Sequence, residues 1–298
     1  MDTRLADPVR IPVIDVECVS FLQWALPRMH LRWAGFRRVR RQVCKRIARR
    51  LRELDLSDLG AYRAYLETHP VEWRLLDELC RVTISRFYRD PSVLACFGGE
   101  VLPALARAAT DDGRSLTAWS AGCASGEEPY TLALIWELGV APAYPGLDIE
   151  ILATDLDSMM LERAQRGCYE LGSLRDVPEH RRRRGFDVEH GLFHVRPELR
   201  RRVTFVRHDI RSGAPDGPFD LVLCRNLAFT YVDLEVQEEV CATLAGCLRT
   251  GGALVVGVHE SLPERSEGFV PWPGVRAIYR RQGARGYRSE SARPCVPE

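Results

Sequence analysis

The stretch Trp119-Ser-Ala-Gly-Cys-Ala-Ser-Gly-Glu-Glu-Pro-Tyr130 decides the fold. A short apolar strand, residues 116–119, runs into a turn of small residues that holds Gly122 and Gly126, and an apolar helix follows from Tyr130 to Leu138. Glycines at a strand-to-helix turn let a ligand come close to the backbone. Glu127 and Glu128 set this turn apart from a phosphate loop. A helix N-terminus attracts anions, and two carboxylates placed there repel a pyrophosphate. They tolerate a cationic ligand with hydroxyl groups. S-adenosylmethionine, a sulfonium with a ribose diol, is both, so the turn reads as a nucleoside site with a positive centre.

Outward from this turn, strands alternate with helices. Strands are expected at 116–121, 149–155, 203–208, 219–224 and 252–258, with helices at 126–138, 158–166 and 234–248. Such alternation predicts right-handed βαβ units and an α/β fold with a doubly wound parallel sheet. Residues 274–280 add an antiparallel edge strand, and 186–206 forms a short hairpin subdomain that feeds the third strand.

Upstream the pattern is helical. Phe36, Val39, Val43, Ile47, Leu51 and Leu54 make one helix stripe. Two more helices are expected, at 61–68 and 71–88, giving a small all-helical domain over 25–90. Residues 1–24 read as an arm, 91–298 as the sheet domain, and Ser289–Glu298 as a loose tail.

The net charge of +1 hides an asymmetry: eleven Arg or Lys and a single acid lie between Arg28 and Glu53. Arg46, Arg49 and Arg50 in this run suit carboxylates on an acidic partner, and a solvated helix face is the plainer alternative. Few aromatics interleave the arginines, which argues against nucleic acid. Ten cysteines are scattered, without a C-x-x-C or a Cys/His pair at ligand spacing, so buried thiols are expected and no metal site. No window approaches 18 uninterrupted apolar residues and the N-terminus lacks a signal pattern, so a cytoplasmic protein without membrane insertion is expected.

Ile149-Glu-Ile-Leu-Ala-Thr-Asp155 is a strand ending in an acid. Ligands bind at the carboxyl ends of strands in open α/β sheets, so Asp155 is placed to accept ribose hydroxyls. Asp157 competes for that role, and either carboxylate can instead cap the helix from Ser158. Asp209 ends the next strand, where it can hold an adenine amino group. Arg225 and Asn226 leave the buried strand 219–224, an expensive arrangement unless both are paired.

Together, the glycine turn, Ala153-Thr-Asp-Leu-Asp157, Cys224-Arg-Asn226 and, less closely, Ile84-Ser-Arg-Phe-Tyr-Arg89 resemble the chemotaxis receptor methyltransferases of CheR type. The resemblance runs from about Phe36 to Arg280. It implies a Rossmann-like class I methyltransferase domain behind a helical domain, with a small inserted β-subdomain. It also implies methyl transfer from S-adenosylmethionine to glutamate carboxylates on an acidic helical receptor, by a monomer. Two alternatives are another protein or small carboxylic acid as acceptor, and a non-catalytic cofactor-binding scaffold.

The cofactor contacts the resemblance implies fall on Thr83, Ser85, Arg89, Gly122, Glu127, Asp155, Asp209, Ile210, Arg225 and Asn226. Arg89 and Tyr231 are implied at the acceptor carboxylate, with a core aromatic as the other reading of Tyr231. Thr83 and Asp209 stand where Asn is common in the family. The run after Asn226 is one residue longer than usual, and Gly257-Val-His-Glu-Ser261 replaces a Gly-His-Ser-Glu stretch. The short β-subdomain loop, 187–192, predicts no binding of a receptor tether.

Overall fold

The structure is a computed structural model that describes residues 15–283. The chain divides into two compact units, one of residues 1–84 with 226–237 and one of 85–225 with 238–298. The return of 226–237 to the first unit was not legible in the alternation pattern, which places that segment with the sheet.

In the first unit, residues 15–25, read as part of an arm, form the helix Asp15–Ala25, while 1–14 lie outside the described residues. It buries Cys18, Phe21, Leu22 and Ala25. The basic helix Arg40–Glu53 buries Val43, Ile47 and Leu51 along the predicted stripe. A disulfide joins Cys18 to Cys44 across these two helices, with the Cα atoms 6.1 Å apart. It corrects the expectation of unpaired thiols throughout. Helices Leu59–Thr68 and Glu72–Cys80 follow. The second was expected to reach residue 88 and stops at Cys80, where the β-branched run Val82, Thr83, Ile84 disfavours another turn.

Residues 226–237 are stitched to the segment 30–36. Leu31 bridges Val232, Arg32 N donates to the Tyr231 carbonyl at 2.8 Å, and the Arg32 guanidinium reaches the carbonyls of Thr230 and Phe229. Gly35 permits this approach, since a Cβ there would lie 2.3 Å from the Thr230 carbonyl oxygen.

The second unit contains the strands β1 (Leu116–Ala121), β2 (Ile149–Asp155), β3 (Cys168–Tyr169), β4 (Phe186–Glu189), β5 (Leu192–Val195), β6 (Val203–Arg207), β7 (Phe219–Leu223), β8 (Leu248–Val255), β9 (Phe269–Trp272) and β10 (Val275–Arg281). Among the described residues the main sheet has the order β6-β2-β1-β7-β8-β10-β9. Its first five strands are parallel, and β10 and β9 are antiparallel. β10 is the antiparallel strand expected at 274–280, and β9 lies beyond it as the edge. β1 and β7 are buried on both faces, the state of central parallel strands. The chain order reverses between them, which makes the crevice at their carboxyl ends the place for a ligand. The subdomain is a three-stranded sheet, β3-β5-β4, rather than a hairpin alone.

One helix, Pro91–Asp111, is long and apolar enough by composition to cross a membrane. Its side chains Leu94, Phe97, Val101, Leu102, Leu105 and Ala109 are buried within this unit.

Candidate active site

The turn after β1 is held by backbone. The Thr154 carbonyl, at the end of β2, accepts from Gly122 N at 2.8 Å and from Cys123 N at 2.9 Å. Gly122, Ala124 and Gly126 all have positive φ, of 72°, 47° and 91°. At Gly126 a Cβ would lie 2.8 Å from the Ala164 Cβ and 3.0 Å from the Tyr169 hydroxyl. That hydroxyl donates to the Ser125 carbonyl at 2.6 Å and closes the turn from the β3 side.

Asp155 meets the same turn from β2. Its Oδ2 accepts from Ala124 N at 2.8 Å and its Oδ1 from Asp157 N at 2.9 Å. The carboxylate is thus fixed at the strand end beside the glycine turn. Asp157 caps the helix Ser158–Arg166 through Met159 N and Met160 N, so the cap belongs to Asp157 and not to Asp155.

The two glutamates diverge. Glu127 is 1% exposed, and its oxygens accept from the Ser125 hydroxyl at 2.8 and 3.1 Å. Among the described residues no Lys or Arg pairs with it. A buried carboxylate with only a neutral partner is electrostatically incomplete, and a cationic ligand completes it. Glu128 instead accepts from Ser120 Oγ at 2.8 Å and from Arg225 Nη1 at 3.3 Å. Burial pushes the Glu128 carboxyl above its ordinary range, against the pull of the Arg225 guanidinium.

Arg225 commits both terminal guanidinium nitrogens to partners within the fold. The side chain is 3% exposed, and Nη2 donates to the Arg89 carbonyl at 2.6 Å and to Asp90 at 2.9 Å. It clamps Glu128 and Asp90 together. Asp209 is occupied locally: it accepts from Arg211 N at 3.0 Å and from the Arg211 guanidinium at 2.9–3.1 Å. Ile210 opens the short turn that Asp209 caps. Ser85 and Arg89 lie half-buried in the irregular run before Pro91.

Thr83, Asn226 and Tyr231 belong to the helical unit. The half-buried Tyr231 ring packs edge-on against Phe36 at 5.2 Å. On the basic helix, Arg50 grips Glu72 with two bonds of 2.9 Å while Tyr62 donates to the same carboxylate. Burial works to raise the Glu72 carboxyl, but the bonds from Arg50 and Tyr62 outweigh it and hold the group below its ordinary range. Arg46 reaches the carbonyls of Leu79 and Arg81. Of the three arginines predicted to face a partner, Arg46 and Arg50 therefore serve the fold, and Arg49 stays outward at 65% exposure. Arg38, Arg41, Lys45, Arg49 and Arg52 are exposed. Arg41, Lys45, Arg49 and Arg52, spaced 4, 4 and 3 along the helix, share one face, opposite Val43, Ile47 and Leu51. The apolar stripe contains the signal that separates these cations from the inward ones.

Sequence reasoning missed Ser120, Ser125, Asp90 and Tyr169, and it read Glu128 only as the second carboxylate of the acidic pair. A cleft of about 610 Å³, lined by Arg114, Asp220, Arg249, Trp272 and Arg280 among others, opens where β1 and β7 begin, and it holds none of the predicted site residues.

The all-α domain of CheR methyltransferases matches residues 39–80, and the SAM-binding domain of CheR methyltransferases matches 83–276. The chain belongs to the CheR methyltransferase family. A chemotaxis protein methyltransferase of Klebsiella aerogenes is 31% identical over 268 residues, covering 87% of this chain and 88% of that protein. One from Listeria innocua is 34% identical over 191 residues, covering 63% and 70%. An uncharacterized 104.1 kDa protein of Rhodobacter capsulatus is 34% identical over 228 residues, 76% of this chain, which spans only 24% of that protein's length. Among solved structures, a SAM-bound amino pentose methyltransferase of Micromonospora echinaspora is 18% identical over 58% of each chain, at a TM-score of 0.29. This CheR-family chain is an S-adenosylmethionine-dependent methyltransferase of class I fold. Its glycine turn, the incompletely neutralised Glu127 and the fixed Asp155 suit a sulfonium nucleoside.

Proposed function

We propose that this methyltransferase esterifies glutamate side chains on an acidic, helical, receptor-like protein in the cytoplasm, acting as a monomer. The observation that carries the reading is the exposed cationic face Arg41–Arg52 on a helix whose opposite face is buried. Guanidinium rows suit carboxylate rows, and a small acid has no use for a surface that long.

The cofactor, when bound, supplies a methyl group on a positively charged sulfur. Asp155 holds the ribose hydroxyls, and Glu127 faces the cationic amino acid end. Arg89 orients the acceptor carboxylate. No general base is required, because a glutamate with a pKa of about 4.3 is ionised at neutral pH. What the chain contributes is alignment and partial removal of water from the acceptor oxygen.

The test is transfer of labelled methyl from S-adenosylmethionine to receptor signalling domains, scored as base-labile methanol, with Asp155→Ala alongside. Base-labile label that vanishes in the variant supports the reading. Tight cofactor binding with no label on any receptor domain refutes the receptor as acceptor.

A further inference from the structure

Cys44 sits at the centre of the basic helix, half-buried, with Arg40 and Arg41 one turn upstream on the same side. Its partner Cys18 is fully buried at 0% exposure, in the helix Asp15–Ala25. The 6.1 Å Cα separation is that of a bonded pair.

Burial disfavours the thiolate at most of the other described cysteines. The other seven described cysteines remain thiols. Burial pushes Cys80 up to about 12 and Cys247 up to about 11, and it raises Cys123 and Cys241 as well. One bridge among so many thiols does not fit a fold stapled for an oxidising compartment. Bridges in reducing compartments are transient, and they mark redox-responsive sites. The helix Asp15–Ala25 also buries Phe21, Leu22 and Ala25, so its packing does not depend on the bridge alone.

We propose that Cys18 and Cys44 form a thiol–disulfide exchange site that reacts with low-molecular-weight disulfides. The Cys44 thiolate attacks one sulfur of the small disulfide and expels the other as a thiolate. The Cys18 thiol, giving its proton to solvent, then attacks the Cys44 sulfur of the mixed disulfide and expels the second small thiolate. Two protein thiols are oxidised, the small disulfide is reduced to two thiols, and no further reactant is needed. The pair sits on the helix proposed to dock the acceptor, and its chemistry is tested independently of that reading.

The full-length protein, reduced and then equilibrated in glutathione buffers of rising disulfide content, is alkylated, digested and mapped by mass spectrometry. The expected result is a Cys18–Cys44 peptide that grows with the disulfide share, with an intact mass about 2 Da lower for two lost hydrogens. Returning the folded protein to reduced glutathione reopens it. The melting temperature rises on oxidation by about 5 °C or more. Cys44→Ser shows neither the peptide nor the shift, and Cys18→Ala serves the same purpose if that variant folds poorly. Both cysteines alkylating fully across the buffer range overturns the proposal. So does glutathione remaining on Cys44 without the cross-link, or a cross-link that opens only on unfolding.

Discussion

Replacing Arg225 by Met keeps the length of the side chain and removes its charge. In the wild type the guanidinium meets Glu128 at 3.3 Å, Asp90 at 2.9 Å and the Arg89 carbonyl at 2.6 Å, while both carboxylate side chains are only 15% exposed. Removing one partner of a buried ion pair strands the rest, at about 3–5 kcal/mol. For a unit of this size that lowers the melting temperature by about 6–20 °C. The loss depends on pH in a definite direction. Burial already raises the Glu128 carboxyl, and Arg225 is the charge that opposes it. Without Arg225 the folded-state value rises further, and each added unit costs about 1.4 kcal/mol at neutral pH. A raised folded-state value means that stability returns as pH falls through it. Urea unfolding at pH 7 therefore shows a large deficit for Arg225→Met, and at pH 5 a smaller one. The double variant Glu128→Gln/Arg225→Met recovers part of the loss at pH 7. A deficit under about 1 kcal/mol, or one that grows as pH falls, refutes the clamp.

Gly126→Ala places a methyl against Ala164 and Tyr169 at a left-handed position. The backbone cost alone is about 1–2 kcal/mol, so calorimetry is expected to show S-adenosylmethionine binding weakened by about tenfold or more. Replacing Arg41, Lys45 and Arg49 together by Gln raises KM for a receptor substrate severalfold and leaves cofactor affinity and kcat in place. Adding salt to the wild type moves KM the same way. Arg50→Met, by contrast, costs stability, about 1–3 kcal/mol, because it leaves Glu72 paired with Tyr62 alone. The Glu72 carboxyl is held low in the folded wild type, so its contribution is present above its unfolded value near 4.5 and fades as pH falls through the lowered one. Arg50→Met flattens that acid dependence in urea melts.

β1 and β2 fall at the predicted residues because each is a short apolar run bounded by turn residues and buried within the sheet. β8 starts at Leu248, four residues before the expected 252, since Gly251-Gly252 reads as a turn while the strand passes through it with a register shift against β7. β9 contains Pro271, which argues against a strand except on an edge, and an edge is where it lies. β3 has two residues, too few for any periodicity. At the site, the acidic pair was legible and its division of labour was not. Consecutive helix positions point about 100° apart, so Glu127 and Glu128 reach different partners. The Arg225 clamp spans sequence separations of 97 and 135 residues, and the Cys18–Cys44 bridge spans 26, and no local pattern encodes such pairings.

The excursion of residues 226–237 into the helical unit has a consequence for biosynthesis. When the ribosome has made residue 84, the segment around Arg32 and Gly35 still lacks the carbonyls of Phe229, Thr230 and Tyr231 that it is shaped to receive. Another 153 residues must be made before residue 237 exists, a wait of about 8–30 s at ordinary elongation rates. The helical unit, made before the sheet unit, is therefore completed only after most of the sheet unit exists. A nascent chain halted between residues 84 and 226 presents an unfinished helical unit to the chaperones and proteases waiting at the exit tunnel.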